Sequence, residues 1–171
     1  VMFDKSFDVN RSGLIAGVDE AGRGPLAGPV VTAAVILIED TNNLIGLNDS
    51  KQISRAKRNE LALKIKENAI SYFIHFQSVE KIDTLNIYEA TKQSMSEAVL
   101  SLKIQPSVVL VDAMKLPIDI ENHSLIKGDA KSYSIAAASI IAKVTRDRIM
   151  KEWDEIYTIY SLSINKEYRK A

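Results

Sequence analysis

Leu14 to Glu20 is a short, mostly apolar run that predicts a strand. Pro29 to Ile38, rich in valine, isoleucine and alanine, predicts a second. The glycines and prolines between them fit a tight connection. Glu39 to Ile53 is polar, with Asn42-Asn43 and Asn48-Asp49-Ser50, and reads as a loop. Ser54 is a good helix N-cap, and Arg55 to Asn68 carries Leu61 and Ile65 at helical spacing. Tyr72 to Val79 predicts a third strand, with Tyr72, Phe73 and Phe76 as core residues and His75 as a structural one. Ile82 to Lys103 predicts helix broken near Asn86 and closed by Pro106. Val108 to Val111 is a compact apolar run of the kind covered on both faces, and it stops at Asp112. Ser124 to Lys127 predicts a last short strand, with His123 in the loop before it. Ser132 to Trp153 is the clearest helix, alanine-rich first and charged later, with Trp153 packing at its end. After Tyr157 no clear periodicity remains. Strands followed by alternating helix and strand predict an α/β fold with a mixed sheet. Two of its strands run into an aspartate, and if they are parallel neighbours then Asp19 meets Asp112.

Composition narrows the chemistry. The 171 residues fit one domain, and a hydrophobic content of 46% allows a substantial core. There are no cysteines, which excludes disulfides, thiolate zinc sites and thiol nucleophiles. His75 and His123 are the two histidines, far apart in sequence, so a metal site would be built from oxygen ligands and would select hard cations such as Mg²⁺ or Mn²⁺. The 22 basic and 22 acidic residues balance, which argues against a purely electrostatic nucleic-acid binder but not against a nuclease with an acidic site. No apolar run is long enough to predict a membrane span. No cleavable signal pattern opens the chain, and a cytoplasmic location is expected. The start at Val1-Met2 suggests trimmed or tagged termini.

The segment from Ile15 to Val30 carries the strongest chemical signal. Asp19 and Glu20 stand side by side behind an apolar run, followed by Gly22-Arg23-Gly24-Pro25 and Gly28-Pro29. A strand that only builds a core has no use for two carboxylates at its end, because charges are rarely buried unless paired or metal-bound. Glycines let backbone approach a ligand closely. Asp112 and Asp129 complete a set of four acids at predicted strand or turn ends. Such a set would repel itself without a cation, and two divalent ions about 4 Å apart would serve in-line phosphoryl displacement. Simpler roles compete. Asp19 and Glu20 alternate along a strand, so ideal geometry turns them to opposite faces. Asp112 fits a turn or helix cap equally well, and Asp129, in Lys127-Gly128-Asp129-Ala130-Lys131, fits a helix N-cap.

The chain resembles the type 2 ribonucleases H (ribonuclease HII) over most of its length. The shared blocks are Asp19–Val30, Asn48-Asp49-Ser50-Lys51, Ile82–Asn86, Val111-Asp112-Ala113, and Lys127–Lys131 running on through Ile135–Asp147. The sister family, ribonuclease HIII, typically has lysine where Arg23 stands here. The resemblance implies a ribonuclease H-like fold with a five-stranded mixed sheet flanked by helices, over residues 1–156, with 157–171 an atypical, shortened tail of the same domain. It implies a Mg²⁺- or Mn²⁺-dependent endoribonuclease in which Asp19, Glu20, Asp112 and Asp129 are both catalytic and metal-binding. The implied substrate is RNA in an RNA–DNA hybrid, or a ribonucleotide embedded in duplex DNA, cut to leave a 3′-hydroxyl and a 5′-phosphate by a monomer. Gly22, Arg23 and Gly24 would read the 2′-hydroxyl, and Lys51 and Ser132 would touch phosphate. Tyr168 falls near the family's junction-stacking tyrosine, but its neighbours are Glu167 and Arg169 where the family has glycines. Single-ribonucleotide recognition is therefore expected to be impaired. A ribonuclease HIII-like enzyme and a truncated, non-catalytic nucleic-acid-binding domain are the rival readings. Lys143, Arg146, Arg148 and Lys151 crowd one late helix, as a phosphate-facing surface or as locally paired charges. Ala136-Ala137-Ala138-Ser139 reads as a packing device that brings that helix close to the sheet.

Overall fold

A computed structural model describes residues 13–22, 28–38 and 53–170, with side chains described up to Leu162. Five strands form one sheet: β1 (Ile15–Ala21), β2 (Val30–Ile36), β3 (Ser71–Gln77), β4 (Val108–Asp112) and β5 (Glu121–Leu125). Their order is β3-β2-β1-β4-β5. The first three form an antiparallel meander, while β4 lies parallel to β1 and β5 parallel to β4. Among the described residues the helices are α1 (Arg55–Asn68), α2 (Val79–Leu85), α3 (Ile87–Leu100), the single turn α4 (Gly128–Lys131) and α5 (Tyr133–Lys170). The expected five-stranded mixed sheet with helices on its faces is what the chain forms.

Strand alternation divides the core between two faces. Val31, Ala33 and Val35 of β2 meet Leu61 and Ile65 of α1 and Ala136–Ala138, Ile140 and Ile141 of α5. Ala16, Val18, Ala34 and Ile36, with Val109 and Val111 of β4, meet Met95, Ala98 and Val99 of α3 on the other. Ala136–Ala138 of α5 are fully buried against the sheet. A side chain at Gly17 of β1 would run into the backbone of Ser134 and Ile135.

Helix boundaries follow local chemistry. The Ser54 side chain caps α1 by accepting from Lys57 N at 3.2 Å, as expected of that residue. Asn86 breaks the expected long helix in two. Its φ of 71° cannot continue α2, and its side chain accepts from Glu89 N at 3.0 Å to start α3.

Several expectations need correction. The last strand spans Glu121–Leu125 rather than 124–127, so His123 lies in a strand, with Nε2 2.8 Å from Glu121 Oε2. Its sequence, Glu-Asn-His-Ser-Leu, has no apolar alternation because β5 is an edge strand. Tyr72, Phe73 and Phe76 are partly exposed, not core, because β3 forms the opposite edge. The late helix does not stop near Trp153. It runs for 38 residues to Lys170, with no glycine or proline to end it. Trp153 is exposed on it rather than packed. Among the described residues no helix is long and apolar enough to cross a membrane.

Candidate metal centre

The parallel register of β1 and β4 builds the site. Gly17 pairs with Leu110 and Val18 with Val111, so the next step along both strands brings Asp19 beside Asp112. Ile15 and Gly17 of β1, and Val108 and Leu110 of β4, lie on the α5 face. Alternation therefore places Asp19 and Asp112 on that same face. Beyond Asp112 the chain turns aside at Ala113, whose φ is 55°.

The carboxylates of Asp19, Glu20 and Asp112 offer oxygens that all lie within 4.8 Å of one another. Strict alternation would have sent Glu20 to the other face, but β1 ends one residue later and its carboxylate joins the group. Asp19 is buried, whereas Glu20 and Asp112 are only partly so. Asp19 Oδ1 accepts from Glu20 N at 2.8 Å. Burial first, and then the charge of Glu20, its side-chain hydrogen bond and the charge of Asp112, push the Asp19 carboxyl well above the ordinary carboxylate range. Three acids packed so closely are stable together as anions only if a cation joins them, and an all-oxygen set suits a hard divalent ion.

Asp112 is further held by Gly128, whose N–H donates to its Oδ1 at 2.8 Å. The sequence signals this contact only through the glycine itself. Lys127 is left-handed, with φ 54°, and a Cβ on Gly128 would come within 3.2 Å of Asp112 Oδ1. Asp129 follows immediately, buried at the start of α4. It stands outside the group of three, next to the residue that anchors Asp112. Ser132 is buried and caps α5, accepting from Ile135 N at 3.2 Å. Gly22, at the exit of β1, has a φ of 103°. Arg23, Gly24 and Lys51 lie outside the described residues. Tyr168 lies on the last turns of α5, where side chains are not described.

The ribonuclease HII family model matches residues 16–170. The chain belongs to the ribonuclease HII family. A ribonuclease HII of Lactobacillus acidophilus is 52% identical over 167 residues, covering 98% of this chain and 66% of that protein. One from Bacillus cereus (strain AH820) is 57% identical over 154 residues, covering 90% of this chain and 60% of that protein. The chain thus spans 60% to 66% of the length of these ribonuclease HII relatives. The crystal structure of the ribonuclease H2 from Pyrococcus horikoshii OT3 superposes with a TM-score of 0.76 at 33% identity, covering 84% of this chain and 77% of that one. The acids that meet in space come from the blocks that carry the ribonuclease HII resemblance.

Proposed function

We propose that this chain carries the catalytic centre of a metal-dependent endoribonuclease that cuts RNA in RNA–DNA hybrids and ribonucleotides embedded in duplex DNA, leaving a 3′-hydroxyl and a 5′-phosphate. The observation that carries the proposal is the cluster of Asp19, Glu20 and Asp112, whose carboxylate oxygens lie within 4.8 Å of one another in a ribonuclease HII chain. The donor set fits Mg²⁺ or Mn²⁺, with Asp129 as a fourth ligand beside the tethered Asp112. When bound, such ions activate the attacking water and stabilise the leaving oxygen of an in-line displacement at phosphorus.

The chain's own residues hold and orient. Asp19, the most buried of the three clustered acids, fixes the base of the site. The Gly128 N–H sets the rotamer of Asp112 and leaves its second oxygen for a ligand. Backbone groups of Gly22, Arg23 and Gly24 read the 2′-hydroxyl, which distinguishes a ribonucleotide from its deoxy neighbours. Lys51 and Ser132 are the phosphate-contacting residues of this reading, and Tyr168 is its candidate for the junction-stacking tyrosine. The enzyme acts as a monomer in the cytoplasm.

One assay tests the proposal. The chain is incubated in Mg²⁺ or Mn²⁺ with a DNA duplex holding one ribonucleotide, a hybrid with a long RNA tract, and an all-DNA duplex. Cutting of the first two but not the third is expected. Strong preference for the long tract would favour a ribonuclease HIII-like enzyme. Binding without any cutting would favour a non-catalytic nucleic-acid-binding domain.

A further inference from the structure

Arg146 lies on α5 and packs where the end of β1 meets the start of β2. Its Nε donates to the Pro29 carbonyl at 3.2 Å. The same side chain lies beneath Gly22. A Cβ there would fall on Arg146 Nε, and within 2.8 Å of both Arg146 Cδ and the Pro29 carbonyl oxygen. Gly28 meets the same helix, since a Cβ on it would stand 3.3 Å from Arg146 Nη2 and 2.8 Å from the sulfur of Met150, one turn further on. Both glycines hold positive φ, 103° at Gly22 and 141° at Gly28, a region that side chains disfavour. Two glycines are therefore needed at the places where the backbone closes on one arginine. Asp147, the next residue, pairs with Arg58 of α1 at 3.6 Å, so this stretch of α5 is braced from its other side as well.

We infer that Arg146 is a positioning residue for the ribonucleotide-reading segment, clamping Gly22 against Pro29 and so fixing the backbone that leaves Glu20. This rests on the reading of the site given above. A guanidinium suits the role because it is planar, always charged, and can donate from one edge while its flat surface packs under a glycine. Among the described residues its contacts are the Pro29 carbonyl and the two glycines, so its task is to set backbone geometry.

The test compares the full chain with Arg146→Ala and Arg146→Lys. The first readout is the amide spectrum of glycine-labelled protein, which holds seven glycine signals. The Gly22 and Gly28 signals should shift in Arg146→Ala, while those of Gly17 and Gly128 hold still. The second readout is kcat/KM on a duplex with one ribonucleotide. A loop displaced by about 1 Å loses roughly 100-fold, so Arg146→Ala should fall between about 10-fold and 100-fold, with the Mg²⁺ midpoint unchanged. Arg146→Lys, which keeps one donor for Pro29, should recover part of the loss and serves alone if the alanine variant fails to fold. The third readout is the slope of log kcat/KM against log salt. It should match the parent, whereas loss of a direct phosphate contact would reduce it by about one. Unmoved Gly22 and Gly28 signals, an unchanged kcat/KM, or a reduced salt slope would each overturn the inference. If the parent cuts no ribonucleotide-containing duplex, the functional reading fails instead, and the glycine signals decide the clamp by themselves.

Discussion

Asp19 is buried with its carboxyl against those of Glu20 and Asp112, so burial first and the neighbouring acid second hold its pKa well above the ordinary range. A folded-state pKa above the unfolded one means that the folded chain binds the proton more tightly. The stabilisation is fully present below the unfolded value, roughly 3.9, and is lost as pH rises through the raised value. The metal-free protein should therefore melt at a lower temperature near neutral pH than under mildly acidic conditions. Asp19→Asn should flatten that dependence and raise the neutral-pH Tm, while abolishing cleavage. Melting curves across pH without divalent ions, run beside a Mg²⁺ cleavage assay, check both. A variant that still cleaves, or that keeps the parent's pH slope, would contradict this account. Adding Mg²⁺ should stabilise the parent more than the variant, since a ligand that binds only the folded state raises Tm by mass action.

At the scale of elements, the closeness of α5 to β1 depends on one position. A methyl group at Gly17 would have to displace the Ser134 and Ile135 backbone, and a helix backbone yields less readily than a side chain. Gly17→Ala should cost about 3 kcal/mol, the upper end of overpacking, seen as a lower urea midpoint. The α2–α3 junction separates two effects at Asn86. Asn86→Ala loses the side-chain cap and keeps the strained φ, whereas Asn86→Gly loses the cap and relieves the strain. The alanine variant should lose about 1 kcal/mol and the glycine variant less, by thermal or urea unfolding. Much of this layer is legible in the sequence. Ser54, Asn86 and the apolar run before Asp112 each state their role in local chemistry. The edge strand β5 is not legible, because its polar residues are held by neighbours. The Asn122 side chain, for example, bonds the Leu116 N–H at 2.8 Å and two carbonyls. The end of α5 is also hidden, since nothing in residues 154–170 breaks a helix and apolar periodicity is needed only where a helix packs.

For the whole molecule, the sheet order turns two distant strand ends into one site. Asp19 and Asp112 lie far apart in sequence, and only the parallel pairing of β1 with β4 joins them. The sequence identifies the acids, but not that Glu20 turns inward or that Gly128 tethers Asp112, because both depend on where the strands stop. The outer part of α5 contributes little to this arrangement. Ile156 and Tyr160 are 65% and 63% exposed, so replacing both with lysine should change unfolding free energy by less than about 1 kcal/mol. Urea unfolding measures this. The most direct test of the acid cluster as the reaction centre is the single-turnover cleavage rate of Asp112→Asn against the parent, in saturating Mg²⁺, on a duplex carrying one ribonucleotide. Asparagine keeps an oxygen for the Gly128 N–H but removes the charge, so the rate should fall at least about 100-fold with melting preserved. A rate within a few-fold of the parent would contradict it.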